Sequence, residues 1–158
     1  MKHLAYWWLF FWCQLIGLGL AYHFGVFHTA WQVDYSKLTF AIIAVHVFGT
    51  VWIGVQTAIK SKGAWVNEAP GWFLSELVMT LGMIGTVIGF IVMISSSIGG
   101  LSDADLTTAE LRSMITHLAK GMGTALWTTL FGLVSSALLK TQMNNLESIG
   151  DEEDNPPR

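Results

Sequence analysis

Gly82-Met83-Ile84-Gly85-Thr86-Val87-Ile88-Gly89 lies inside an uncharged apolar run, residues 77–98. A second stretch of the same character follows: Gly121-Met122-Gly123-Thr124-Ala125-Leu126-Trp127-Thr128-Thr129-Leu130-Phe131-Gly132-Leu133, inside the run 121–139. Each run is long enough to cross a bilayer core of about 30 Å at about 1.5 Å per helical residue. Each is rich in Gly, Ala, Ser and Thr, where a lipid-facing helix would carry Leu, Ile or Phe. Small residues let membrane helices approach closely, and hydroxyls at that depth need a partner or water. Function is therefore expected in the interior of a helical membrane assembly.

Two further uncharged runs, 4–27 and 38–59, are of spanning length, so the chain is expected to be an all-α, polytopic membrane protein with four transmembrane helices. The four runs use more than half of the 158 residues and leave no sizeable water-soluble domain. Composition agrees. The chain is 53% hydrophobic and 12% charged, with a mean hydropathy of +0.52, against about 25% charged residues in soluble domains. The first run follows Lys2, but it is too long and too aromatic for a signal peptide, and no Ala-x-Ala site follows it. Cys13 is the single cysteine, so no intrachain disulfide can form. The net charge of −3 comes mostly from Asp151-Glu152-Glu153-Asp154 and points to no nucleic-acid partner.

The charge pattern orients the spans. With the N-terminus inside, the inner segments hold Lys2, Lys60, Lys62, Lys140 and Arg158, and the outer loops hold Lys37, Arg112 and Lys120. That asymmetry favours an N-in, C-in topology. Tyr6, Trp7, Trp8 and Trp12 on the first span, Trp31 in the outer loop, and Trp65 and Trp72 in the inner one form the expected interfacial belt. Residues 1–60 read as a peripheral two-helix hairpin. Residues 61–76 read as a short cytoplasmic loop with Pro70-Gly71 as its turn, 77–149 as the core, and 150–158 as a disordered acidic tail. In the outer loop, Thr107 and Glu110 have capping-box spacing. Leu111, Met114, Ile115 and Leu118 then recur at helical spacing, which predicts a short amphipathic helix or a lead-in to the fourth span. The fourth helix is expected to run to about Ile149, with Gly150 as its C-cap.

Gly82, Gly85, Thr86 and Gly89 share one face of the third span. Ala125, Thr129, Gly132 and Ser136 share one face of the fourth. Spacing alone leaves two readings open. The stripes pack closely, with each hydroxyl bonded to its own i−4 carbonyl, or Thr86 and Thr129 line an ion path. No Asp, Glu, Lys or Arg lies within a span, so the charged carrier of a conducted ion is expected on another chain. Histidines are the titratable candidates at depth. His23 and His46 lie on adjacent helices and leave haem ligation as a further alternative. Otherwise no cofactor, no metal and no catalytic residue is expected. Glu76 and Lys140, at the inner ends of the last two spans, are candidates for an ion pair at the inner mouth.

At the two quoted stretches the sequence resembles the MotA/TolQ/ExbB proton-channel family. Residues 82–89 resemble its Gly-Leu-Leu-Gly-Thr-Val-x-Gly signature. Residues 125–133 resemble its Ala-Leu-x-x-Thr-x-x-Gly-Leu signature. Both occur in order on consecutive spans, over roughly residues 76–147. The resemblance implies a bacterial inner-membrane protein and a pentameric ring around single-span partner helices. Such a partner, MotB-, TolR- or ExbD-like, supplies a membrane Asp that carries a proton or sodium ion. It maps the family's pore threonines onto Thr86 and Thr129. The four-span layout and Thr124, where ExbB-like members often have Glu, are more similar to MotA. The large cytoplasmic domain of MotA is replaced by residues 60–75, and prolines common near the family motifs are replaced by Leu81 and Leu138.

Overall fold

The computed structural model describes residues 2–34, 36–98 and 108–154. Among these the chain forms five helices: α1 (Lys2–His23), α2 (Val26–Val33), α3 (Leu38–Lys60), α4 (Ala69–Ile98) and α5 (Thr108–Asp154). Four of them, all but α2, are long and apolar enough to cross a membrane. The architecture is that of an all-helical, multi-pass membrane protein.

The breaks between helices have local causes. Gly25 takes a left-handed conformation, φ 69°, and its N–H donates to Tyr22 O at 3.0 Å. Glycine adopts that conformation without steric penalty, so α1 ends there and α2 begins. Asp34 is 1% exposed. Its carboxylate accepts the Thr39 N–H at 2.8 Å and the Ser36 hydroxyl at 2.7 Å, and so caps the start of α3. Gly63, φ 79°, turns the chain after α3, and Asn67 Oδ1 accepts the Ala69 N–H at 3.1 Å at the start of α4.

α4 and α5 form an antiparallel hairpin: Gly82 lies against Gly132, Gly85 against Thr128, and Gly89 against Gly121. α3 packs on both, parallel to α5, and its Gly49 receives Leu139 and Leu74. Ile42, Ile53, Val78, Leu139, Met143 and Leu146 form the buried core where these three helices meet. α1 lies outside, with none of its span buried. The Trp7 ring rests on Gly54 of α3 and stacks on Phe11 with centroids 5.3 Å apart. At the Lys60 end, Lys60 Nζ pairs with Glu68 at 2.5 Å and also donates to Leu146 O at 3.0 Å. Trp72 Nε1 donates to Glu147 Oε1 at 2.6 Å.

Several expectations need correction. Pro70 does not mark a turn. It sits in the first turn of α4, where its missing N–H would have had no helical partner anyway, so the helix starts at Ala69 rather than at 77. Only α1 of the first two spans is peripheral within the chain, because α3 has the most buried span of the four, at 39%. The segment 111–120 is continuous with the fourth span inside the 47-residue α5. At about 1.5 Å per residue that helix is about 70 Å long, roughly twice a bilayer core. α5 also passes through Gly150 to Asp154. One helical glycine costs about 1 kcal/mol, too little to stop a helix held one turn earlier by Lys60. The expected cap at Thr107, the loop segment 101–107 and the tail residues 155–158 lie outside the described residues.

Candidate functional site between α4 and α5

The two small-residue stripes meet each other. A Cβ added at Gly82 would lie 3.1 Å from Gly132 Cα and 3.1 Å from Thr128 O. One added at Gly89 would lie 2.7 Å from Gly121 O and 2.8 Å from Ala125 N. These neighbours are backbone atoms, so glycine is what permits this approach. Ala125 and Ser136 are buried in the same hairpin, at 3% each. Two further residues complete the contact and did not figure in the sequence-based set. Thr128, 0% exposed, fills the space over Gly85. Gly121 lies against Gly89 and Met93. Their signal was present in the spacing, since 121, 125, 128, 132 and 136 follow one helical stripe.

Thr86 and Thr129 face one another across this contact, and their Oγ1 atoms are hydrogen-bonded to each other. Thr129 Oγ1 donates to Ala125 O at 2.8 Å, and Thr86 Oγ1 reaches Gly82 O at 3.2 Å and Ala125 O at 3.5 Å. Each hydroxyl has one proton. With Thr129 donating to Ala125, Thr86 donates to Thr129, and Thr86 Oγ1 keeps its lone pairs for an incoming donor or cation. Both side chains are half-buried rather than sealed. The pair is flanked by exposed Met83, Val87 and Leu130, so the surface around it is apolar.

The other candidates separate. Glu76 is exposed and Lys140 half-buried, and they form no ion pair with each other among the described residues. The α5-facing stripe of α4 runs through Ser75, Val78, Gly82, Gly85 and Gly89, and Glu76 is turned about 100° from Ser75. Lys60 and Glu68 form an ion pair at that end instead. His23 is exposed and stands against Phe24, with ring centroids 5.7 Å apart. His46 is buried on α3, 7% exposed. Among the described residues no group of three or more His, Cys, Asp or Glu is placed to hold a metal ion.

No family model, curated protein or solved structure matches this chain.

Proposed function

We propose that this chain is the ring subunit of an ion-driven inner-membrane complex. In this reading both termini are cytoplasmic and copies of the chain assemble, as a pentamer, around single-span partner helices. The partner carries a membrane Asp that takes up and releases a proton or sodium ion. The observation that carries the reading is the half-buried Thr86–Thr129 hydroxyl pair on a glycine-packed hairpin. It offers oxygen ligands inside the apolar runs 77–98 and 121–139, and those runs carry no Asp, Glu, Lys or Arg. Hydroxyls can coordinate or relay an ion without titrating. The likeness of residues 82–89 and 125–133 to the MotA/TolQ/ExbB signatures supports the same assignment.

A second reading is a membrane assembly protein that conducts nothing. It is favoured by one feature: each hydroxyl also lies within reach of its own i−4 carbonyl, the ordinary arrangement of a packed threonine.

Assembly is tested on complexes extracted from native membranes in mild detergent. Images of the purified complex should show a ring of copies with additional helices at the centre. A chain that is monomeric, with no crosslinks between copies in the membrane, overturns the ring.

A further inference from the structure

α1 and α3 stop short of the outer end of α5. Gln142 Nε2 donates to Thr50 Oγ1 at 3.4 Å. α3 begins at Leu38, 12 residues before Thr50 (50 less 38), so its start is level with about residue 130 of α5 (142 less 12). Asn145 Nδ2 donates to His3 O at 3.1 Å. α1 ends at His23, 20 residues after His3, level with about residue 125 (145 less 20). α5 itself begins at Thr108. Among the long helices, α4 alone accompanies its first turns, with Met93 against Gly121.

Those first turns lie outside the bilayer core. The uncharged run 121–139 covers about 28 Å as a helix, the thickness of one core. Residues 108–120 carry Glu110, Arg112, His117 and Lys120, which are costly in hydrocarbon. They extend α5 by about 20 Å beyond that run. α5 is one continuous helix from Thr108 to Asp154. This segment therefore stands off the membrane, whereas a separate amphipathic helix would lie along its surface.

The segment carries an apolar seam into water. Leu111, Ile115, Leu118 and Met122 are 51%, 58%, 37% and 51% exposed. They recur at intervals of four, three and four, the a and d spacing by which parallel helices pack. Ser113, Thr116, His117 and Lys120 fall on the opposite side of the helical period. α4 occupies one flank of the seam, at Gly121, and the other flank holds exposed Ala119, whose small side chain lets a further helix approach. An apolar stripe of this kind, backed by polar residues, marks a protein contact.

We propose that the outer ends of α5 from neighbouring copies pack seam to seam, as a parallel helix bundle outside the membrane. The proposal rests on the ring-subunit reading for the presence of several copies and names a surface through which they meet. Copies inserted with one topology are related by rotation about the membrane normal, so their α5 helices run parallel and in register. That is the alignment a and d spacing requires. Lys120 and His117 lie across the helix from the seam, so seam-to-seam packing does not press them against their equivalents. Fewer than two heptads would hold weakly in free solution, but helices already joined through their spans meet at high effective concentration.

The test is a cysteine scan of positions 111–122 in the full chain, in a Cys13→Ser background and in native membranes treated with copper phenanthroline. Crosslinks between copies should peak at Leu111→Cys, Ile115→Cys, Leu118→Cys and Met122→Cys and be lost at Ser113→Cys and His117→Cys. Even yields, or a peak on the Ser113 side, overturn the proposal. Ile115→Lys should abolish the Leu111→Cys crosslink and Ser113→Lys should spare it; an unaffected crosslink in Ile115→Lys overturns the seam. Ser113→Cys should react with an impermeant maleimide in lysed spheroplasts, and protection there would put the segment in lipid and overturn the proposal. Ile115→Cys carrying a benzophenone should photolabel this chain; adducts with lipid or with another protein instead give the seam to a different occupant and overturn it. Leu126→Cys and Val134→Cys report on copies within the span. Crosslinks there with none at the outer seam sink this proposal and leave the ring, whereas none at any position removes both.

Discussion

Gly89→Ala tests whether the α4–α5 approach is set by backbone contact. The new Cβ would lie 2.7 Å from Gly121 O, 2.8 Å from Ala125 N and 2.9 Å from the Ala125 Cβ, where ordinary contact begins at 3.4 Å. Two of these three are backbone atoms and cannot rotate away. The helices must separate by about 0.7 Å (3.4 less 2.7) to relieve the nearest contact. Overpacking of this kind costs about 1–3 kcal/mol. Alanine also gains about 0.5–1 kcal/mol over glycine in a helix. That gain cancels against a control, Gly17→Ala, whose Cβ would meet nothing within 4 Å. Reversible unfolding in mixed micelles, followed by tryptophan fluorescence, should therefore place Gly89→Ala about 1–3 kcal/mol below Gly17→Ala. Equal stabilities, within about 0.5 kcal/mol, would refute the backbone-contact account.

Three other outcomes are expected. Asp34→Ala removes the acceptor for the Thr39 N–H and should destabilise by about 1–2 kcal/mol, with faster amide exchange at Thr39; unchanged exchange would mean the cap contributes nothing. Lys60→Met breaks the links to Glu68 and to Leu146 O. It should speed protease cleavage after residue 146, and an unaltered cleavage rate would show that Lys60 does not hold this end of α5. In a Cys13→Ser background, an impermeant maleimide should label Arg112→Cys in intact spheroplasts and reach Lys62→Cys only after lysis; the reverse pattern would invert the proposed topology.

The four spans were legible because an absence of charge over about 20 residues is a constraint the bilayer imposes on sequence directly. The glycine stripe of α4 was legible because the helical period puts 82, 85 and 89 on one line. What hydropathy cannot encode is a change of backbone direction inside an apolar run. Gly25 lies within the run 4–27, so its left-handed turn and the eight-residue α2 went unread. Pro70 is ambiguous by nature, since it suits both a turn and the first turn of a helix. The central place of α3 had a signal, the Thr39, His46, Thr50 and Thr57 stripe. Each of those residues taken singly reads as an ordinary polar residue in a span, and their grouping emerges only once Gln14 and Gln142 are seen to face them. Glu76 and Lys140 were matched by depth alone, and depth says nothing of rotation about the helix axis.

The central claim is that Thr86 and Thr129 act through their hydroxyls. Ion flux should be measured in assembled complexes carrying Thr86→Val and Thr129→Val together, with Thr86→Ser and Thr129→Ser as the paired control. Valine keeps the shape and removes the oxygen, while serine keeps the oxygen. Membrane hydrogen bonds average only about 0.6 kcal/mol, so the valine pair should still assemble. The account predicts that flux is abolished with the valine pair and largely retained with the serine pair. An assembled valine double variant with undiminished flux would contradict it.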